Sequence, residues 1–312
     1  MATFSKSNFK ALNYNSFRPH YPPSFYNILA NYLGKTPVEN TIDLGCGAGV
    51  ATYPLLNISQ NVVGLDLSPG MIKTANSLIS ENLKKLGIDD VSRIKFVTGS
   101  VEDFVKTSDA KEHFDLITAA QCIHWFKDYD LFFQKSGELL KSGGVLAYFF
   151  YIDPVIIDFI GPSKESATKE EIIEKAYEVY HKYVYDDKNY IGPHWENPGR
   201  NILKHFCEEV NKKVPEDVYT DITINTFKPN LVKPYADETV DLDLKKLNLN
   251  LQGYIDYIST YSGFHNYKEV TGNSNLLTNE FLTELLDVTG WDLNETKVDL
   301  VWNTGYTFIR KK

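Results

Sequence analysis

Between residues 40 and 150 the chain alternates two rhythms. Short apolar runs, TIDLG (41–45), NVVGLDLS (61–68), RIKFVTG (93–99), FDLITAA (114–120) and VLAYFFY (145–151), have the length and composition of strands. Helical stretches are predicted between them. One runs from Val50 to about Ile58, and one opens at Ser68-Pro69, an N-cap with proline at the first helical position, and reaches about Leu86. A third starts at Ser100, with Asp103 three residues on, and a fourth covers about Asp130 to Lys141. Strands alternating with helices imply an α/β fold: a doubly wound, mostly parallel sheet with right-handed crossovers and helices on both faces.

The rhythm breaks after residue 151. Ile173, Tyr177, Tyr180 and Val184 share one helix face, and Ile202, Phe206 and Val210 share another, with HWENPGR (194–200) as a loop between them. DITINTF (221–227) and VDLDL (240–244) read as strands, paired within an insertion, and a helix covers about Tyr254 to Tyr261. LLTNEFLTELLDVTG (276–290) is an amphipathic helix closed by Gly290, and ETKVDLVWN and GYTFIRK read as a terminal antiparallel hairpin turning near Asn303-Thr304-Gly305. The expected organisation is an N-terminal segment (1–40) folding over the site, a core (41–151 and 276–312) and a cap (152–275).

Composition narrows the chemistry. A formal charge of −9 with no Lys/Arg block argues against a nucleic-acid partner. Cys46, Cys122 and Cys207 are too widely spaced for a disulfide framework or a zinc site, so no metal is expected. The start, MATFSKSNFK, has no apolar signal region, and Val145 to Ile160 is interrupted by Asp153, Pro154 and Asp158, so no membrane partner is expected either. A cytoplasmic monomer acting on a small molecule is the expectation. Twenty tyrosines suit an apolar pocket that must carry a few polar groups, or simply a tyrosine-rich core.

The chemical signal begins at DLGCGAG (43–49), where glycines let the backbone turn and approach a ligand closely. A dinucleotide fingerprint fails here because its last position is Val50. Asp43 would repel a pyrophosphate but suits a ligand carrying an ammonium and a sulfonium, which describes S-adenosylmethionine; alternatively it only caps a turn. Asp66, at the end of strand two and followed by Leu67, is placed to accept two ribose hydroxyls. Ser100, Val101 and Glu102 fall where an adenine edge would sit, and Met71 either packs on the adenine face or belongs to the core.

Taken in order, DLGCGAG, GLDLS, TGSVEDF, FDLITAAQCIHWF and LKSGGVLAYFF resemble the class I S-adenosylmethionine-dependent methyltransferases over residues 41–150. YNSFRPHYP (14–22) and QCIHWF (121–126) are most similar to the small-molecule group that includes the fungal trans-aconitate methyltransferases. The resemblance implies a seven-stranded sheet ending in an antiparallel hairpin, with Gly45, Cys46 and Gly47 facing the methionine moiety, Asp66 the ribose and Ser100-Val101 the adenine. Many relatives carry aspartate where Ser100 stands, which leaves that contact between Ser100 and Glu102.

Gln121, His124 and Trp125 follow strand four, at the sheet edge where ligands bind in such folds, and are expected to border the methyl-transfer point, His124 being a possible base. The plainer alternative packs Trp125 on the next helix. His265 is a weaker candidate. Arginine occurs only at 18, 93, 200 and 310. Its planar fork is what a carboxylate acceptor needs. Arg18, flanked by Tyr14 and Tyr21, is the first choice and Arg200 the second, while Arg93 and Arg310 are expected in solvent. Arg18 could instead clip the N-terminal segment to the core. The favoured reaction is methylation of a carboxylate oxygen on a small organic acid such as trans-aconitate. A C- or O-methyltransferase for a quinone, sterol or phenol shares the core and would favour an apolar pocket and a base. A nicotinamide enzyme is disfavoured by Asp43 and Val50, and a non-catalytic relic by the intact glycine loop and Asp66.

Overall fold

Alternating burial along the fifth strand sets the layering. In the computed structural model, which describes residues 17–106, 111–229 and 240–312, Val145, Ala147, Phe149 and Tyr151 join one hydrophobic core and Leu146, Tyr148, Phe150 and Ile152 join the other. A strand buried on both faces needs apolar residues at every position, which is why this run shows no polar alternation.

The chain enters through α1 (Pro23–Leu33), and β1 (Val38–Leu44) follows it. A single 3₁₀ turn at Tyr53–Asn57 stands where a longer helix is predicted, and it leads to β2 (Ser59–Asp66). The long helix expected next is two, α2 (Pro69–Ser77) and α3 (Ile79–Leu86); Ser68 caps the first by accepting from the Met71 N–H. Then come β3 (Ile94–Thr98), α4 (Val101–Val105), β4 (Phe114–Ala120), α5 (Tyr129–Leu139) and β5 (Leu140–Ile160). Ser100 caps α4 through the Asp103 N–H, as its spacing predicts.

After β5 the chain forms α6 (Lys169–His181), opened by a capping box of Thr168 and Glu171, then α7 (Gly199–Lys204) and α8 (Glu208–Asn211). β6 (Tyr219–Phe227), β7 (Lys245–Asn250), α9 (Leu251–Ser259), α10 (Ser262–Thr271), α11 (Leu282–Thr289) and β8 (Lys297–Lys311) complete it. The sheet order is β3-β2-β1-β4-β5-β8-β6, with β7 also on β8. β1 to β5 pair in parallel, and β8 runs antiparallel to β5, β6 and β7.

Several expectations change at the antiparallel end. The two terminal runs are one continuous strand with no turn at Asn303-Thr304-Gly305: Thr304 pairs Tyr151 and Gly305 pairs Phe150. Gly305 serves a close approach, since a Cβ there would lie 2.6 Å from the Phe150 ring. The strands expected as a pair in the cap join the main sheet instead, β6 along residues 304–311 of β8 and β7 along 297–301. The second of them is 245–250 rather than 240–244, although Leu242 and Leu244 are buried. β5 also continues to Ile160, with irregularities between Tyr151 and Pro154 and between Ile156 and Asp158.

Neither outlying arginine is left to solvent. Arg93 donates to the carbonyls of Leu56, Ser59 and Gln60, and Arg310 to those of Tyr32 and Gly143 while pairing with Asp221. Among the described residues no helix is long and apolar enough to cross a membrane, and no cluster of His, Cys, Asp or Glu could hold a metal.

Candidate active site

The glycine loop is pinned to the end of β2, because the N–H groups of Gly45 and Cys46 both donate to the Leu65 carbonyl, at 2.8 and 3.1 Å. Gly45 has φ +65°, and a Cβ there would fall 2.7 Å from that of Cys122, so only glycine fits. Gly47 has φ +55° with open space where its Cβ would be. Its N–H donates to Asp66 Oδ2 at 2.9 Å, while Ser68 N–H donates to Oδ1 at 2.8 Å. Burial raises the Asp66 pKa and those two bonds oppose the rise. The carboxylate is thus fixed in orientation, with lone pairs left over.

A cavity of about 450 Å³ opens beside this loop, at the carboxyl ends of β1, β2 and β4. Gly45, Cys46, Gly47, Asp66, Leu67 and Met71 line it, as do Ser100, Val101, Gln121 and Trp125. Arg18 and Tyr21 line it from the N-terminal side. Cys122, Phe126 and Tyr151 also line it and were not anticipated from the sequence.

Asp43 is a correction. It is fully buried behind the loop, accepts hydrogen bonds from Thr52 and Thr118 Oγ1 at 2.6 and 2.7 Å, and is absent from the cavity wall. Its strand pairing explains this: Asp43 stands opposite Thr118 of β4, inside the sheet. Burial pushes its pKa up to about 6. Glu102 falls within α4, but its side chain is not among those described, and Tyr14 lies outside the described residues.

A second pocket of about 40 Å³ shares Arg18, Gln121 and Trp125 with the cavity. Its other walls come from His124, Ile152, Trp195, Arg200, Leu203, Tyr261 and Ser262. His124 and Arg200 therefore border this pocket, not the larger cavity. Gln121 has φ +54°, and its amide pairs with the backbone of Tyr151, donating to the carbonyl and accepting from the N–H, both at 2.9 Å. It closes the end of β4 against β5.

The two arginines reach the small pocket from different parts of the chain. Arg18 is 8% exposed, donates to the Thr260 carbonyl at 3.1 Å, and lies 5.4, 5.5 and 5.9 Å from the rings of Tyr257, Tyr261 and Tyr151. Arg200 Nη2 donates to Asp153 Oδ1 at 2.6 Å, and its guanidinium lies 4.3 Å from the Trp195 ring. His124 is 6% exposed. Burial first, then the charges of Arg200 and Arg18, lower its pKa to about 3. α7 reaches this turn because residue 199 is glycine, where a Cβ would come 2.9 Å from the His124 carbonyl oxygen. His265 lines neither pocket and pairs with Glu269 on its own helix.

Residues 42–148 match the family model of a methyltransferase domain. A probable S-adenosylmethionine-dependent methyltransferase of Saccharomyces cerevisiae is 26% identical across 99% of this chain and 98% of that protein. The chain is an S-adenosylmethionine-dependent methyltransferase. The enzyme also shares 35% identity over 107 residues with a mitochondrial ubiquinone biosynthesis O-methyltransferase of Bos taurus, covering 34% of this chain and 26% of that one. A solved structure described as a putative type II methyltransferase from Anaeromyxobacter dehalogenans superimposes with a TM-score of 0.60 at 18% identity, over 94% of the enzyme and 97% of that chain. The fold is therefore the class I methyltransferase fold, a mostly parallel sheet with added antiparallel strands. Its cofactor is S-adenosylmethionine, and the open space at Gly47, the oriented Asp66 carboxylate and the cavity volume fit that ligand.

Asp153, Tyr151, Trp195 and Tyr261 escaped the sequence reading. Two of them carried a signal. Asp153 is one of two carboxylates that interrupt an apolar run, and Trp195 stands in the same loop as Arg200.

Proposed function

We propose that the enzyme methylates a carboxylate oxygen of a small acid bearing more than one carboxyl group, giving a methyl ester, with trans-aconitate as the type of acceptor. One observation carries this reading: Arg18 and Arg200, far apart in sequence, both border the small pocket that adjoins the cofactor cavity at Gln121 and Trp125. Guanidinium forks match carboxylates in a way that an ammonium cannot. At about 40 Å³ the pocket suits a carboxyl group rather than a ring.

In this reading the Gly45–Gly47 loop cradles the methionine part of the cofactor, Asp66 accepts from the ribose hydroxyls, and Leu67, Met71, Ser100 and Val101 flank the adenine. When bound, S-adenosylmethionine supplies an electrophilic methyl group on its sulfonium. Arg18 and Arg200 orient the acceptor, while Gln121 and Trp125 border the passage between the two sites and Trp125 and Trp195 exclude water. A carboxylic acid with a pKa of about 4 is already ionised at neutral pH, so no base is required. A phenol would need one, and His124, with its pKa lowered to about 3, is a poor candidate.

The test is turnover on trans-aconitate. Arg18→Lys should lose nearly as much kcat/KM as Arg18→Ala, with cofactor affinity little changed. Parallel loss of cofactor binding would show that Arg18 only anchors the N-terminal segment. A wild-type enzyme silent on di- and tricarboxylates but active on phenols or quinones would sink the carboxylate reading.

A further inference from the structure

β5 breaks register between Tyr151 and Pro154, and Asp153 lies inside that break. Bulges of this kind turn a side chain away from the direction that strand alternation dictates. The Asn303 side chain secures the spot by donating to the Asp153 carbonyl at 3.0 Å. The Asp153 carboxylate then gathers three donors from two later segments of the chain. Tyr180 of α6 donates at 2.8 Å, Tyr185 donates to both oxygens at 2.8 Å, and Arg200 of α7 donates at 2.6 Å.

Arg200 is held on more than one side. Its guanidinium lies 4.3 Å from the Trp195 ring centre and 5.2 Å from that of Tyr185, and its side chain is 11% exposed. A guanidinium this buried needs a counter-charge. Asp153 supplies it through Nη2, while the Arg200 Nε is buried with no hydrogen-bond partner among the described residues. One edge of the fork is engaged by the protein, and Arg200 borders the small pocket.

The same carboxylate also orders the opposite wall. The Tyr180 hydroxyl gives its one proton to Asp153, so in the 2.9 Å contact between Tyr180 and Tyr261 the Tyr261 hydroxyl must be the donor. Tyr261 borders the small pocket, and its ring lies 5.5 Å from the Arg18 guanidinium. One chain of contacts therefore joins the two arginines: Arg200, Asp153, Tyr180, Tyr261, Arg18.

We propose that Asp153 is a positioning residue for acceptor recognition, which fixes the Arg200 fork, and through Tyr180 and Tyr261 the wall beside Arg18, for a di- or tricarboxylate. This inference rests on the carboxylate reading above. It assigns Asp153 no contact with the reacting atoms.

The experiment compares wild type, Asp153→Asn and Arg200→Ala, each loaded with S-adenosylhomocysteine and titrated with trans-aconitate by calorimetry, alongside kcat and KM for its methylation. Asparagine keeps an oxygen for the tyrosine hydroxyls but removes the charge that holds Arg200. Asp153→Asn should raise both the trans-aconitate Kd and the KM about tenfold, leave the S-adenosylhomocysteine Kd within twofold, and lower kcat far less than KM is raised. Asp153→Glu should recover part of the loss, because it restores the charge. If Asp153→Asn binds trans-aconitate as wild type does while Arg200→Ala does not, the inference falls and the carboxylate reading stands. If wild type fails to bind trans-aconitate, both fall together. Equal loss of S-adenosylhomocysteine and trans-aconitate binding in Asp153→Asn would mean a merely structural role, and also overturns the inference.

Discussion

His124 borders the small pocket with two arginines, and both burial and those positive charges disfavour its protonated form. With its pKa lowered to about 3 it is neutral throughout the physiological range and a weak proton acceptor. Turnover at saturating substrates should therefore be nearly flat from about pH 6.5 to 8.5, and His124→Gln should keep most of it. A steep rise across that window, lost in His124→Gln with cofactor binding intact, would make His124 a base and defeat the carboxylate reading. Asp66 is the other residue with a sharp expectation. Its oxygens are oriented by two backbone N–H groups, so Asp66→Ala should weaken S-adenosylmethionine binding by about 1.5–3 kcal/mol, the scale of charge-assisted hydrogen bonds. Unchanged affinity by calorimetry in a folded variant would remove Asp66 from the ribose. Both residues were legible in the sequence as candidates, because each follows the end of a strand in a recognisable motif. The protonation state of His124 was not, since it depends first on burial by the tertiary fold and then on an arginine 76 positions away, Arg200.

At the scale of elements, α7 is the piece that brings Arg200 to the small pocket. It contacts the Ile123–Trp125 turn at Gly199, where a Cβ would lie 2.9 Å from the His124 carbonyl oxygen and 3.2 Å from the Trp125 ring. The obstacles are a backbone oxygen and a rigid indole, so Gly199→Ala must push the helix, and Arg200 with it, outward. Misplacement by a fraction of an ångström should raise the acceptor KM about tenfold and leave cofactor affinity unchanged. Kinetics at saturating cofactor would check this, and an unaltered KM would show that α7 does not set the acceptor site. Nothing in the sequence around HWENPGR singled out this glycine. Its role comes from a turn some 75 residues earlier, whereas the DLGCGAG glycines act within their own loop.

Over the whole molecule, two buried ionisable groups pull stability in opposite directions as pH changes. Unfolded, His124 titrates near 6.5, and in the fold near 3. Between those values the unfolded chain holds a proton that the fold does not, so stability falls as pH drops below 6.5, by up to about 1.4 kcal/mol per pH unit. Asp43 does the reverse: its pKa is raised to about 6 in the fold, so its contribution grows as pH falls from 6 towards 4. Wild type should lose about 2 kcal/mol more than His124→Gln between pH 7 and 5, read by urea denaturation. Asp43→Asn should lose more than wild type over the same interval. Identical losses in wild type and His124→Gln would mean that His124 protonates freely in the fold.

The sequence by itself determined the parallel half of the sheet, the glycine loop and the cavity-lining residues Gly45, Cys46, Gly47, Asp66, Leu67, Met71, Ser100 and Val101. These depend on short-range patterns: apolar runs, caps, and turns that only glycine can make. It also brought forward Arg18, Arg200, Gln121 and Trp125, though not the way they are shared between two pockets. Tertiary structure decided the rest. Asp43 faces Thr118 inside the sheet because the register of β1 against β4 puts it there, which no local motif records. The run expected as a terminal hairpin is one strand, paired along β5 from Lys297 to Arg310. β6 and β7 pair with β8 rather than with each other. Asp153 can join Arg200, Tyr180 and Tyr185 because a bulge in β5 meets two segments that follow it. Contacts between residues dozens of positions apart carry no periodicity along the chain, and such contacts bring Arg18, Arg200 and Tyr261 to one small pocket.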